Sequence, residues 1–210
     1  MYAELCICAL LPRLETRTRL VLVLHRDEER KPTNTGQLAA RCMLNSDVIV
    51  RGLAVDDVPR FVWDPSLTQP VLLFPHADAR PVSEFAGSPL PVTLVVPDGT
   101  WRQAGKMRAR MPGLAELPCV TLDAALETNY RLRAETHVDG LATLEAIAAA
   151  LGVLEGESVR TALLHIFRIM VERTLWLRGQ LRAEDVTGGI PDAASTLRSS
   201  ISATKSLAKR

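Results

Sequence analysis

Residues 20–24 read Leu-Val-Leu-Val-Leu and residues 92–96 read Val-Thr-Leu-Val-Val. Runs this short and this apolar, with little polar alternation, fit strands covered on both faces. Three more short apolar stretches, residues 48–50, 71–74 and 119–122, lie between helix-like segments. Strands that alternate with helices build a largely parallel sheet flanked by helices, an α/β domain. No internal repeat interrupts the pattern.

The segments between the strands carry helix signals. Residues 33–44 open as a polar loop and continue as a helix with Leu38, Cys42 and Met43 on one side. Residues 101–111 read as a helix that stops before Pro112-Gly113. The second half is helical: residues 141–151 are rich in Ala and Leu, with Gly152 placed to end the helix. Residues 158–181 form the best amphipathic pattern, and Ser158 can cap it. Beyond Thr187-Gly188-Gly189 the composition turns to Ser, Thr, Ala, Lys and Arg. The expected organisation is one domain over residues 1–182 and a disordered, basic, Ser/Thr-rich tail over residues 183–210.

Bulk properties narrow the class. Four cysteines in 210 residues are too few for a disulfide scaffold. Cys42 and Cys119 sit in apolar surroundings and read as small core residues. The N-terminus lacks the basic start and apolar core of a secretion signal, and no apolar run is long enough to span a membrane. A reducing, cytoplasmic setting without membrane association is expected. The net charge is +1, which by itself argues weakly against a polyanion partner.

In open α/β sheets ligands gather at the carboxyl ends of the strands, so the residues after each strand matter most. Two of these segments are chemically special. After residues 20–24 comes a charged stretch ending in Pro32-Thr33-Asn34-Thr35-Gly36, ahead of a helix. Hydroxyls, an amide and free backbone N–H groups at a helix start suit a carboxylate or phosphate. The same string also serves as a plain helix cap. After residues 92–96 comes Pro97-Asp98-Gly99-Thr100-Trp101. It offers a carboxylate at a strand end, a glycine that permits close approach, and a flat aromatic face. Its structural alternative makes Asp98 a helix cap and Trp101 a core aromatic.

Several motifs fail. Gly99 and Gly105-Lys106 resemble a phosphate-binding loop, but five residues separate the glycines and Met107 replaces the required Ser or Thr. No dinucleotide-binding glycine pattern is present. The four histidines, His25, His76, His137 and His165, show no metal-ligand spacing. Cys6-x-Cys8 supplies half of the four ligands that a structural zinc takes.

Charge patterning is more informative than net charge. Arg102, Lys106 and Arg110 recur at i, i+4 and i+8, one stripe on a helix, with Arg108 adding to the positive charge. Residues 195–210 hold four basic residues and no acidic one, so residues 1–194 carry 21 basic against 24 acidic, a net of −3. Within that acidic body, residues 98–113 alone are +3. A stripe of this kind is either a solvated helix face or a contact surface for a phosphate backbone.

Taken together, these segments resemble the DTW-domain family of tRNA-uridine aminocarboxypropyltransferases, over roughly residues 6–180. The resemblance runs in family order. It takes in Cys6-x-Cys8, the strand at 20–24, Lys31-Pro32-Thr33-Asn34-Thr35-Gly36 and the strand at 92–96. Asp98-Gly99-Thr100-Trp101 follows, matching the D-x-T-W signature, with Ala104, Lys106 and Met107 at the family's spacing. Tyr130-Arg131-Leu132-Arg133 and Ala142-Thr143-Leu144-Glu145-Ala146 match two later blocks. Many members carry a further Cys pair upstream, completing a four-Cys cluster. Here the pair stands as the remnant of a zinc site; either the site has been lost or its first half lies upstream of Met1.

The resemblance implies a SPOUT-like α/β fold, of a class whose cofactor-binding region can be knotted. It implies transfer of the aminocarboxypropyl group from S-adenosylmethionine to a uridine ring nitrogen in tRNA, with release of methylthioadenosine. Asp98, Thr100 and Trp101 would be catalytic, with Asp98 as general base or as the group orienting the imino N–H. Trp101 would stack on the base. Thr33, Asn34, Thr35, Gly36, Pro97, Gly99, Tyr130, Arg131 and Arg133 would bind S-adenosylmethionine, and Arg102, Lys106 and Arg110 would hold the RNA. DNA is not an expected partner. The alternatives are a SPOUT-type RNA methyltransferase, which would release S-adenosylhomocysteine, and an RNA-binding module without catalysis.

Overall fold

A computed structural model describes residues 2–51, 63–122 and 141–194 of the chain. Six strands form one sheet: β1 Arg19–His25, β2 Ser46–Arg51, β3 Gln69–Leu73, β4 Arg80–Pro81, β5 Val92–Asp98 and β6 Cys119–Thr121. Their order is β2-β1-β5-β3-β6-β4, and every pair is parallel. The five apolar runs all became strands, so the parallel sheet flanked by helices is as expected. The short exposed β4 carries no apolar signal, and as an edge strand it tolerates Pro81.

Five α-helices accompany the sheet: α1 Arg26–Glu29, α2 Thr35–Cys42, α3 Trp101–Arg110, α4 Thr143–Glu155 and α5 Glu157–Leu177. The two-residue period of the strands sorts their side chains onto two faces. Leu20, Leu22 and Leu24 of β1 and Leu94 and Val96 of β5 share one core with Leu38 of α2, Ile147 and Leu151 of α4, and Leu163 of α5. Val21 and Val23 of β1 and Val95 of β5 share a second core with Met107 of α3 and with Met111, Leu114 and Leu117. The larger core accounts for the helical second half of the sequence: α4 and α5 cover one face of a sheet made almost wholly by the first half.

Three helix limits differ from the sequence reading. α4 continues through Gly152 to Glu155, and Gly156 breaks the chain with φ +110°. Gly152 instead permits close helix packing, since a Cβ there would lie 2.9 Å from Arg160 Cδ. Gly156, not Ser158, precedes the first residue of α5, and α5 stops at Leu177, short of 181. In both cases the glycine was legible, but its role depends on what packs beside it.

The ends of α4 fasten it along the sheet. At its C-terminus, Glu155 accepts hydrogen bonds from the Arg17 N–H at 3.0 Å and the Thr18 N–H at 2.7 Å, just before β1. Its N-terminus therefore arrives at the opposite end of the sheet, where the strands finish. Within the stretch read as a tail, Val186 and Ala194 are buried and pack with Leu5 and Trp176. Residues 195–210 lie outside the described residues. Among the described residues no helix is long and apolar enough to cross a membrane.

Candidate active site at the strand ends

Asp98 is the last residue of β5, in register with Leu24 of β1. It follows Leu94 and Val96 by the two-residue period, so it faces α2 and α4. Its exposure is 5%. Asn34 Nδ2 donates to Asp98 Oδ2 at 2.7 Å, and the Thr143 hydroxyl donates to Oδ1 at 2.5 Å. Asn34 is the N-cap of α2 and Thr143 is the first residue of α4. One carboxylate thus joins a strand end to the starts of two helices. Both helix dipoles favour a negative charge there, and both carboxylate oxygens are engaged. The same side chain of Asn34 caps its own helix, its Oδ1 accepting from the Gln37 N–H at 2.7 Å.

The neighbouring residues complete this clasp. Thr35 Oγ1 accepts from the Leu144 N–H at 3.4 Å, tying α2 directly to α4. Glu145 accepts from the Ala142 N–H at 2.9 Å and closes the first turn of α4. Gly36 has no room for a side chain: a Cβ would lie 2.7 Å from Asp98 Oδ2 and 2.9 Å from Leu22 Cδ1. The polar loop at 33–36 therefore does receive a carboxylate at a helix start, and that carboxylate belongs to the protein. Asn34 and Thr35 are buried with it, and only Thr33 reaches partial exposure.

Beyond Asp98 the chain turns outward. Thr100, not Asp98, caps α3, where its hydroxyl accepts from the Gln103 N–H at 3.3 Å. Gln103 Oε1 answers by accepting from the Thr100 N–H at 2.8 Å, which makes a capping box. Gly99 lies against this pair, since a Cβ would come 3.0 Å from Gln103 Oε1. Trp101 is the first residue of α3 and is 47% exposed, so it is not the core aromatic of the structural alternative. Its ring stands 6.4 Å from the ring of Phe74, tilted by 59°. Pro97 lies past the last pair between β3 and β5, where the strand keeps only β1 as a neighbour.

Arg102, Lys106 and Arg110 are exposed along α3, opposite the buried Ala104 and Met107. Among the described residues no carboxylate pairs with any of them. Arg108 lies apart from this stripe, half-buried, with its Nε enclosed and without a partner. Tyr130, Arg131 and Arg133 lie outside the described residues.

The N-terminal cysteines form a separate locality. The Cys8 N–H donates to Cys6 Sγ at 3.3 Å, and hydrogen bonds from Cys8 hold the Cys6 thiol below its ordinary range. Arg173, buried in α5, donates to the backbone oxygens of Leu5 at 3.4 Å and Cys6 at 3.2 Å and so pins this segment. A cavity of about 380 Å³ lies beside it, lined by both cysteines with Arg30, Asn34, Gln37 and Arg41. No strand-end residue lines that cavity. Among the described residues no third metal-ligating side chain stands with the two thiols.

Thr143, Gln103, His25 and Phe74 complete the site without having been singled out from sequence. Thr100-x-x-Gln103 is a capping pattern and could have been read. Thr143 stands in the family block at 142–146, but no local pattern states its partner, 45 positions away.

A parallel sheet whose central strand ends in a clasped acid and a half-exposed indole defines an α/β protein whose candidate site lies at the strand C-termini. The DTW domain profile matches residues 1–175, and the chain belongs to that family. Curated relatives include tRNA-uridine aminocarboxypropyltransferase 2 of Drosophila melanogaster, 32% identical over 159 residues that cover 71% of this chain and 62% of that protein. The protein of that name from Macaca fascicularis is 30% identical over 72% of this chain and 53% of its own length. tRNA-uridine aminocarboxypropyltransferase A of Arabidopsis thaliana is 27% identical over 80% of this chain and 75% of its own. The chain thus spans between about half and two thirds of the first two relatives. A solved structure with similarity is the SAM-dependent rRNA:acp-transferase Tsr3 from Vulcanisaeta distributa, at a TM-score of 0.49 and 13% identity over 89% of each chain.

Proposed function

We propose that this protein transfers the 3-amino-3-carboxypropyl group of S-adenosylmethionine to a uridine ring nitrogen in tRNA, in the cytoplasm. The observation that carries the reading is the arrangement of Asp98-Gly99-Thr100-Trp101 at the end of the central strand of a chain matched by the DTW domain profile. The relatives named for this activity support it.

When bound, the donor would supply a sulfonium: its carbon–sulfur bond would break as the uridine nitrogen, its imino proton passed to Asp98 or to water, bonds to that carbon, and methylthioadenosine would leave. The protein's task is to bring a poor nucleophile to that carbon and to exclude water. Trp101 offers the face on which a uracil stacks. Asp98 has two candidate roles, taking the imino proton or orienting the reacting groups. Its burial and its two hydrogen bonds favour the second, since an acid that holds two helix starts in place fixes the floor of the crevice. Thr100 fixes the start of α3 and so the place of the indole. From beneath, Asn34 holds Asp98, Thr35 ties α2 to α4 and Gly36 leaves room for the carboxylate, while Thr33 and the residues at 130–133 remain for the donor's carboxylate. Arg102, Lys106 and Arg110 hold the phosphate backbone.

The test is product analysis with purified protein, labelled S-adenosylmethionine and tRNA. Methylthioadenosine and one aminocarboxypropyl-uridine are expected. Release of S-adenosylhomocysteine would replace this reading with a methyltransferase, and RNA binding without turnover would replace it with a binding module.

A further inference from the structure

Gln103 fixes the proton of a histidine at the strand end. The Thr100 backbone N–H can only donate, and at 2.8 Å it assigns the oxygen of the Gln103 amide. The amide nitrogen therefore faces His25 Nδ1 and Asp27 Oδ2, each at 3.1 Å. The Asp27 backbone N–H is a second obligatory donor, 3.3 Å from the same Nδ1. Two donors on one ring nitrogen make Nδ1 an acceptor, and the proton of the neutral imidazole then sits on Nε2. Asp27 Oδ2 also lies 3.3 Å from Nδ1, a longer approach than the 3.1 Å at which the Gln103 amide donates to each of them. Nε2 has no hydrogen-bond partner among the described residues, and it is not sealed from solvent.

The position of this N–H gives it a use. His25 ends β1, one residue past the register pair of Leu24 with Asp98. The backbone of Gly99 lies close beside it, and a Cβ there would come 3.3 Å from His25 Cβ. Gln103, which orients the imidazole, also caps the helix that starts with the exposed Trp101. One amide therefore couples an oriented donor to the helix start that carries the half-exposed Trp101.

We propose that His25 is a specificity-determining residue, whose Nε2–H donates to a carbonyl oxygen of the pyrimidine stacked on Trp101. The proposal rests on the uridine-transferase reading and names the group that reads the base. A fixed N–H donates to the C4 carbonyl of uracil and opposes cytosine, which presents an amine at that position.

Two measurements test it. Long-range nitrogen–proton NMR of the labelled full chain at mildly basic pH reads the tautomer without any activity assay. A proton on Nε2 is expected, and a proton on Nδ1 overturns the proposal. In transfer assays, His25→Gln, which keeps an amide N–H near Nε2, should hold kcat/KM for tRNA within about twofold. His25→Ala should lose about five- to tenfold, the size of one hydrogen bond, with the KM for S-adenosylmethionine unmoved. Equal losses in the two variants, no loss in either, or a rise in the KM for S-adenosylmethionine alone would each overturn it. If His25→Ala does not fold, His25→Asn, whose amide reaches only the Nδ1 position, takes its place. A wild-type chain that transfers nothing to tRNA would end the uridine reading and the pyrimidine assignment with it. A proton found on Nε2 would still uphold the donor.

Discussion

Asp98 and Trp101 are three residues apart and occupy opposite environments. Asp98 is buried under α2 and α4 with both oxygens bonded, whereas Trp101 stands open at the head of a helix with three exposed cations. One short motif thus joins a closed side, which holds the fold together, to an open side, which can meet a substrate. A residue in such a motif can be essential to activity without touching the substrate, and the two kinds of essential residue separate in stability measurements.

The largest effect is expected on the closed side. Asp98→Ala removes an acceptor from one buried and one part-buried donor, and should cost about 3 kcal/mol of stability in urea unfolding. A variant as stable as the wild type would show that the clasp contributes nothing. Trp101→Ala should do the reverse: stability stays within about 1 kcal/mol, while transfer to tRNA falls about tenfold or more through lost stacking. Equal stability losses at Asp98 and Trp101 would erase the distinction between the two sides.

A smaller effect is expected along α3. Reversing Lys106 and Arg110 to Glu should weaken tRNA binding several-fold and lower the salt dependence of log Kd by about 2. Unchanged affinity would make the stripe a solvated face. The smallest effect concerns Cys42, which is fully buried in the same core as α2 and α4. Burial pushes its thiol up to about 11 from an ordinary value of 9.0. The stability gained by keeping it neutral is full below pH 9.0 and is lost as pH rises towards about 11. Alkylation at mildly basic pH should therefore modify the exposed Cys6, whose thiol is lowered, and spare Cys42 until the chain unfolds. Early labelling of Cys42 would show that the closed side opens locally.

The strands and the helix starts were legible because their signals are local. The apolar runs at 20–24 and 92–96 became β1 and β5, the helix from Trp101 ends at Arg110, ahead of Pro112, and the alternation of elements implied a parallel sheet. Even the face on which Asp98 lies follows from counting by twos from Leu94 and Val96, a reading the sequence permits once β5 is known to be covered on both sides. The role of each glycine was harder. Gly152 and Gly156 look alike in sequence, and only the packing of Arg160 and a φ of +110° distinguish a helix contact from a helix stop.

The sequence by itself determined which segments are strands, which residues are chemically able, and which family signature they spell. Tertiary structure alone decided what the able residues do. Asn34 is 64 positions from Asp98 and Thr143 is 45 positions from it, and no local pattern states that all three meet. A hydroxyl or a carboxylate has the same chemistry wherever it lies in the chain. Whether it serves a ligand or the fold depends on which partners the packing brings within 3 Å, and here the packing turned the carboxylate inward and the indole out.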